Sequence, residues 1–143
     1  MRRTTTAPLR CVDGRRWTAL HHASRQGSAP VVAALLEMGA VVDAQNEEGD
    51  TALILASHNG HEGAVRLLLA RGARQELQEE HGYAAMHCAA MSGHAGVAEL
   101  LCAAPSAAAA VALRDKDGDT PLAAAVRKGF AAVATVLRAH GAS

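Results

Sequence analysis

The stretch "DTALILASHNGHEGAVRLLLARGA" at residues 50–73 is a second version of "WTALHHASRQGSAPVVAALLEMGA" at residues 17–40, which begins 33 residues earlier. A third version, "YAAMHCAAMSGHAGVAELLCAAPSA", begins another 33 residues on and covers residues 83–107. A fourth, "DTPLAAAVRKGFAAVATVLRAHGAS", begins 36 residues after the third and covers residues 119–143. A period of this length is typical of proteins built from stacked structural repeats.

Three positions of the repeat hold the same amino acid in all four copies. They are an alanine (Ala23, Ala56, Ala89, Ala125), a glycine (Gly27, Gly60, Gly93, Gly129) and a leucine (Leu35, Leu68, Leu101, Leu137). The glycine separates two short apolar segments in each copy. Because glycine accepts the left-handed conformation that ends a helix, this pattern predicts two short helices joined by a tight turn.

The residues of each segment also favour helices. Val65, Leu68 and Leu69 follow the i, i+3, i+4 spacing of one helical face. A threonine, whose hydroxyl can cap a helix N-terminus, opens the first segment of three copies: Thr18, Thr51 and Thr120.

Short polar segments connect the copies, and each predicts a tight turn. "DAQNEEGD", "LQEEHGY" and "LRDKDGD" carry a glycine at one shared position, namely Gly49, Gly82 and Gly118. We therefore predict hairpin-like fingers between successive helix pairs. One helix pair cannot bury its apolar face alone, so the copies must stack into a continuous core.

The opening of each copy resembles the ankyrin repeat family. Of the five specified residues in the family motif Thr-Pro-Leu-His-x-Ala, four are matched by "TALHHA" (residues 18–23) and by "TPLAAA", three by "TALILA" and two by "AAMHCA". A Gly-His pair, which in the family precedes the second helix, occurs at residues 60–61 and 93–94. The resemblance implies an all-α solenoid of helix–turn–helix units joined by β-hairpin-like fingers. It also divides the chain into a short N-terminal segment (1–12) and a repeat domain (13–143) with repeats near 13–45, 46–78, 79–114 and 115–143.

The copies depart from the family pattern where it places a hydrogen-bonded Thr and His. Only the first copy keeps both, at Thr18 and His21; Ile54 and Ala123 replace the His, and Ala84 replaces the Thr. His87 also fills the structural His position, and His61 and His94 fill the Gly-His position. Four of the eight histidines of the chain are therefore assigned to the framework rather than to a reactive site.

Three further departures lead to structural expectations. Arg16 takes the place of the turn glycine, so we expect the first finger to differ in shape. Arg138 stands where earlier copies have Leu36, Leu69 and Cys102, which favours a last repeat with no further neighbour. The third copy holds three extra residues, in which Pro105 should end a helix and Ser106 could cap a short turn. This insertion is either a tolerated surface feature or a binding feature.

Composition and charge argue against several classes of function. Fourteen basic and fourteen acidic residues cancel, so no global field favours nucleic acid or a membrane surface. The apolar runs are shorter than the roughly 20 residues of a membrane span. The start of the chain lacks the apolar stretch of a secretory signal, although a mitochondrial presequence stays open. Three cysteines (Cys11, Cys88, Cys102) at no metal-binding spacing favour a reducing compartment, either cytoplasm or nucleus.

No motif for catalysis, cofactor binding or metal binding emerges. His61 begins "HEG", but Val65 stands where a zinc HExxH motif needs its second His. Cys88 and Cys102 fall at apolar positions of the repeat and are expected to be buried thiols. We predict a monomeric, non-enzymatic protein without cofactor or metal. An enzyme or metal site would require His22, His58 or His81 to converge with a cysteine.

The family resemblance implies that a partner protein meets the finger tips and the exposed side of each first helix, which together form a concave face. In the repeat register, the variable residues at these positions form the predicted partner-binding set: Arg15, Trp17, Arg25, Gln26, Gln45, Glu47, Glu48, Asp50, His58, Asn59, Gln78, Glu80, His81, Tyr83, Met91, Ser92, Arg114, Lys116, Asp117, Asp119, Arg127 and Lys128. Their charges run from basic in the first copy through acidic in the middle copies to mixed in the last.

Trp17 and Tyr83 occupy the same variable position, where the other copies carry Asp50 and Asp119. Since Trp and Tyr are frequent among residues that dominate binding energy, we predict that both are accessible anchors for a partner. Alternatively, each ring covers a local seam of its own finger. The sequence thus favours a protein-binding module that acts as an adaptor or by occlusion, with a structural spacer or a fragment of a larger protein as the alternative.

Overall fold

The computed structural model describes residues 15–142. Within them the chain forms eight α-helices and one short 3-10 helix, and no strand. The first helices of the four pairs are α1 (Ala19–Gln26), α3 (Ala52–His58), α5 (Ala85–Ser92) and α7 (Pro121–Lys128). The second helices are α2 (Ala29–Glu37), α4 (Glu62–Ala70), α6 (Ala95–Ala103) and α8 (Ala131–Ala139). The predicted all-α repeat solenoid is confirmed. The predicted N-terminal segment and Cys11 lie outside the described residues.

The helices form two layers that share one core. Each first helix packs against the first helix of the next pair, and each second helix does the same in the other layer. The repeated leucines Leu68, Leu101 and Leu137 are fully buried between the layers. Fully buried alanines such as Ala56 and Ala89 separate them. These small side chains let neighbouring helices approach closely, which is how a chain with three aromatic residues still builds a dense interior.

The first helices begin as predicted. The hydroxyls of Thr18, Thr51 and Thr120 accept hydrogen bonds from backbone N–H groups three residues on, at 3.2, 3.1 and 3.2 Å. The third copy has Ala84 at this position and lacks the hydroxyl. It keeps the other half of the first copy's capping box: the N–H of Ala84 donates to Nδ1 of His87 at 3.3 Å, as the N–H of Thr18 does to Nδ1 of His21 at 2.9 Å.

Two histidines of the opening motif connect neighbouring repeats. Nε2 of His21 donates to the carbonyl of Asp50 at 2.9 Å, and Nε2 of His87 donates to the carbonyl of Asp119 at 2.8 Å. Both rings are buried. Each bond ties a first helix to the following finger, which confirms the structural assignment of these two histidines.

Backbone hydrogen bonds also join the fingers to one another. The N–H of Glu47 donates to the carbonyl of Arg15 at 3.0 Å, that of Glu80 to Glu48 at 2.9 Å, and that of Lys116 to His81 at 3.1 Å. The fingers therefore stack in register along one edge of the array, although none of the described ones contains a regular strand.

The first finger does not differ from the others at the residue expected to change it. Arg16 adopts φ 64°, close to the values of 83°, 81° and 83° at Gly49, Gly82 and Gly118. It is the one non-glycine residue among residues 15–142 with positive φ. The expectation of a different shape is wrong at this position, because the turn imposes its left-handed conformation even on a side chain that disfavours it.

The insertion in the third repeat packs against the array. Helix α6 ends at Ala103, and a 3-10 helix (Pro105–Ala109) follows, so Pro105 ends the helix as predicted. The N-cap of the 3-10 helix is Ala104, and Ser106 provides no cap. Instead, the fully buried Gln75 donates from Nε2 to the Leu101 carbonyl and to Oγ of Ser106, each at 2.9 Å. Gln75 thus anchors the insertion.

The last helix pair exposes part of an apolar face. Arg138 is exposed, as predicted for a charge at a stacking position. Val126 is 53% exposed and Phe130 is 37% exposed on the same pair. The ring of Phe130 also packs over Gly93, where a Cβ would lie 2.8 Å from the ring. His61 packs over Gly27 and His94 over Gly60 in the same way, so Phe130 takes the packing position of these histidines in the last repeat.

Gly82→Ala should destabilise the array more than Gly118→Ala. Both glycines have φ above 80°, so alanine is strained at either site by about 1 kcal/mol. A Cβ on Gly82 would also lie 2.8 Å from the Lys116 nitrogen of the next finger, whereas Gly118 has open space. We expect an additional loss of about 1–3 kcal/mol for Gly82→Ala, measured by urea unfolding. Equal losses in the two variants would contradict tight finger stacking.

Gln75→Ala should lower the free energy of unfolding by about 2–4 kcal/mol, since it empties a buried site and removes the hydrogen bond to the Leu101 carbonyl. Ser106→Ala removes only one acceptor and should cost about 1 kcal/mol. Chemical denaturation of both variants measures the difference. If Gln75→Ala costs no more than Ser106→Ala, then Gln75 does not anchor the insertion.

Candidate functional site

Two adjoining cavities open between the first helices of the second, third and fourth repeats. The first, of about 260 Å³, is the acidic cavity; it is lined by Asp50, Ile54, Leu55, His58, Glu79, Tyr83, Cys88 and Met91. The second, of about 320 Å³, is the mixed cavity; it is lined by Tyr83, Met91, Asp117, Arg127 and Lys128. Because Tyr83 and Met91 line both cavities, they form the ridge that separates them.

The fingers hold the polar walls of the acidic cavity. Asp50 directly precedes the N-cap of α3, and its N–H donates to Oδ1 of Asn46 at 2.9 Å. In the next finger Oε1 of Glu79 accepts the N–H groups of His81 at 2.6 Å and of Tyr83 at 3.0 Å. Asn46 and Glu79 occupy the same repeat position and close their fingers in the same way. The carboxyl groups of Asp50 and Glu79 are thereby fixed on two neighbouring fingers.

Asp50 is the most perturbed carboxyl group of this cavity. Burial, followed by repulsion from Glu79 and Glu48, raises its pKa from 3.8 to about 6. The Asp50 carboxylate makes no ion pair with a lysine or arginine anywhere in residues 15–142. A half-buried negative charge crowded by other negative charges attracts a cation from outside the chain.

Two other titratable groups of the cavity, Cys88 and Tyr83, favour their neutral forms. Burial raises the pKa of the Cys88 thiol above its usual range, and negative charges at Glu79 and Asp50 raise it further. Burial also raises the pKa of Tyr83, and Asp115 and Asp117 add to that shift. A protonated thiol is a poor nucleophile, so Cys88 acts here as an apolar wall. The expected burial of Cys88 and Cys102 is confirmed.

Trp17 does not resemble Tyr83 in its surroundings. Its side chain is buried, with only 9% exposed. The ring packs against His22, with 4.8 Å between ring centroids, and lies beneath the Arg25 guanidinium at 4.9 Å. The expectation that both rings are accessible is therefore wrong for Trp17, whose ring is buried against helix α1 of its own repeat. Tyr83 is partly exposed and lines both cavities.

Gln45 and Gln78 belong to the framework of the fingers. Nε2 of Gln45 donates to the Gly49 carbonyl at 2.9 Å, and Nε2 of Gln78 donates to the carbonyls of Gly82 at 2.8 Å and Arg114 at 2.9 Å. Both side chains are partly buried. Their amide groups stabilise turns and join successive fingers, which leaves them less available to a partner than predicted.

The remaining predicted residues surround the cavities without lining them. Several bind one another: Glu48 pairs with Arg15 at 4.0 Å, Glu80 with His81 at 3.7 Å, and Asp119 with Arg127. The exposed ones outside the cavity walls are Arg15, Arg25, Gln26, Glu47, Asn59, Glu80, His81, Arg114 and Lys116. Ser92 Oγ lies 3.3 Å from His58 Nδ1 at the edge of the acidic cavity. These residues stay predicted partner contacts.

Four residues of the acidic cavity are missing from the predicted binding set: Ile54, Leu55, Glu79 and Cys88. Leu55 and Cys88 share one repeat position, on the side of the first helix that faces the cavity. Their apolar character suggested ordinary core residues. A sequence signal could have identified them. Leu55 and Cys88 each lie three residues before a variable residue of the predicted set, His58 and Met91, and so on the same face of the helix.

The described residues offer no arrangement for a metal ion: among residues 15–142, no group of three or more His, Cys, Asp or Glu side chains is close enough to hold one. Of the histidines that would have to converge with a cysteine (His22, His58, His81), His58 lines the acidic cavity together with Cys88. This pair belongs to no group of three or more possible ligands among the described residues. No helix in the described part of the chain is long and apolar enough to cross a membrane.

Comparison with known proteins agrees with the repeat architecture. The family model for ankyrin repeats (3 copies) matches the chain over residues 5–79 and again over residues 72–143. These two matches span both cavities and every helix described above. Curated proteins yield no match to the chain.

Asp50→Asn should stabilise the protein in a pH-dependent way. The pKa of Asp50 in the folded chain, about 6, lies above the unfolded value of 3.8. The aspartate therefore lowers the free energy of unfolding least below pH 4 and most above pH 6. Relative to the native chain, the variant should gain stability as pH rises between these limits. The gain should be about 1 kcal/mol at most, since the carboxyl group is only half-buried.

Thermal unfolding of both proteins from pH 4 to pH 8 measures this difference. Burial lowers the pKa of His87, so the stability of both proteins should also fall at acidic pH. That contribution cancels when the two melting temperatures are subtracted. A difference that stays constant across the range would contradict the raised pKa of Asp50.

Proposed function

Since the chain belongs to the ankyrin repeat family, whose repeats generally serve as protein–protein interaction modules, we propose that it binds a partner protein through the face that carries the two cavities. On this proposal it has no catalytic activity of its own. It would act as an adaptor or by covering a surface of the partner. Tyr83 and Met91, on the ridge between the cavities, would be the central contacts.

The two adjoining cavities are the observation that supports this proposal. The framework of the array uses apolar side chains inside and hydrogen bonds along the fingers. Neither requires an open hollow beside a partly exposed tyrosine and methionine. Tyrosine and methionine are enriched at protein interfaces because they offer large contact areas at little cost in solvation. Charged groups around them supply a polar rim.

The dimensions favour side chains of a protein over a small metabolite. Cavities of about 260 and 320 Å³ lie at or below the lower end of the 300–1,000 Å³ typical of ligand pockets. Both are open, and each spans the boundary between two repeats. An extended segment of a partner could place one side chain in each cavity.

A second candidate is a structural spacer, and the burial of Trp17 favours it. An aromatic ring that is buried against its own helix stabilises that repeat and offers little to a partner. On this alternative the array holds neighbouring parts of a larger assembly at a fixed distance. The two proposals differ in whether the cavity face makes specific contacts.

Affinity capture from a lysate of the source organism tests the proposal. The native chain is compared with Tyr83→Ala/Met91→Ala, which removes the ridge. The matched control is Met38→Ala/Val41→Ala, which removes two apolar side chains that are 64% and 58% exposed away from the cavities. Circular dichroism and urea unfolding first establish that all three proteins are folded.

We expect a protein that is retained by the native chain and by the control and lost by the ridge variant. Loss of a few central contact residues commonly weakens binding by 2 kcal/mol or more, about thirty-fold in affinity. A partner retained equally by all three proteins would place the binding surface elsewhere. If none of the three retains a protein, the spacer alternative is favoured.

A further inference from the structure

We propose that the acidic cavity receives a lysine or arginine side chain from an extended segment of the partner. This inference rests on the proposed function and specifies the chemistry of the partner. The apolar lining would contact the aliphatic part of the side chain. The carboxylates of Asp50 and Glu79, on the two fingers that border the cavity, would pair with its cationic end.

The shape and lining of the cavity fit a long side chain with an apolar stem. Ile54 and Leu55 of α3 lie on one side, and Tyr83 and Met91 of the next repeat lie on the other. A short polar residue would leave these surfaces in contact with water. Lysine and arginine bury their methylene groups against apolar surface while the charged head reaches a polar site. Tyr83 can also offer its ring face to the cation.

The charges of the cavity are complementary to a cation. Asp50 and Glu79 line it, and Glu48 and Glu80 add negative charge near Asp50. Among residues 15–142, none of the arginines and lysines forms an ion pair with Asp50 or Glu79. His58, also at the cavity, has its Nδ1 beside Ser92 Oγ at 3.3 Å. The cavity would therefore repel an anionic segment. An uncharged segment would leave Asp50 without an oppositely charged partner.

The equivalent positions in other repeats show that this arrangement is special to one boundary. Where the second repeat has Asp50, the first has Trp17, whose ring packs beneath Arg25. The fourth has Asp119, which forms an ion pair with Arg127 of its own repeat. Each of these boundaries carries its own cation. In the second repeat His58 replaces that arginine, so the position of the missing guanidinium is open to a cation from a partner.

Selection of random peptides displayed on phage tests this inference. Four immobilised proteins are compared: the native chain, Asp50→Asn/Glu79→Gln, the ridge variant Tyr83→Ala/Met91→Ala, and Glu37→Gln/Glu99→Gln. The last is the matched control, since it changes the net charge by the same amount at exposed residues of the second helices, outside both cavities. The amide substitutions keep side-chain size, and Glu79→Gln retains the oxygen that accepts the finger N–H groups.

We expect peptides selected by the native chain and by the charge control to share a lysine or arginine at one position, and those selected by Asp50→Asn/Glu79→Gln to lack it. A synthetic peptide with norleucine, an uncharged residue of similar length, in place of that cation should bind the native chain about ten-fold more weakly or worse. The same norleucine substitution should have little effect on binding to Asp50→Asn/Glu79→Gln.

Two results would overturn the inference: native selections without an excess of basic residues, or an excess that Asp50→Asn/Glu79→Gln retains. The ridge variant reports on the proposed function separately. Suppose that the ridge variant loses the peptides, and that peptides selected by the native chain show no preference for lysine or arginine. The cavity face then binds proteins but not through a cation. If the ridge variant recovers the same peptides as the native chain, the cavity face itself is not the binding surface.

Discussion

The array depends on the close approach of each finger to the backbone of the next. A Cβ on Gly49 would lie 2.9 Å from Glu79 Cα, and one on Gly82 would lie 2.8 Å from the Lys116 nitrogen. This spacing allows one finger to donate a backbone hydrogen bond to its neighbour. It also brings the carbonyls of Asp50 and Asp119 to the histidines of the preceding helices. The helix layers then stack at one fixed separation, and their alanines suit that separation.

This way of stacking leaves one position of the repeat free to vary. At residues 50, 83 and 119 the framework uses the backbone, which closes the finger or receives a histidine. The side chain at this position differs from copy to copy. Trp17 is buried against its own helix, Tyr83 forms a ridge between two cavities, and Asp119 pairs with Arg127. Of the two aspartates, Asp50 faces a cavity without an ion pair to a lysine or arginine of residues 15–142.

The features that recur in each repeat were predicted from the sequence, whereas side-chain contacts between distant residues were not. The helices, the threonine caps and the turn glycines follow from local chemistry, and all were visible in the alignment of the four copies. The burial of Trp17 was missed for another reason: its ring packs on His22 and Arg25 of the same repeat, at positions where the four copies differ. Gln75 looked like an ordinary linker residue, because its bonds to Leu101 and Ser106 join positions more than 25 residues apart. The cavity walls Leu55 and Cys88 looked like core for the same reason.

The side chain of Asp50 adds little to the framework beyond its interaction with Asn46. From this residue the fold uses the N–H, which donates to Asn46, and the carbonyl, which accepts from Asn46 and His21. Any non-proline residue supplies both groups. Its carboxylate, by contrast, is disfavoured in the folded chain, since burial and neighbouring glutamates raise its pKa. A charge that opposes folding and pairs with no lysine or arginine of the described chain contributes only through what it attracts, and in this cavity that is a cation.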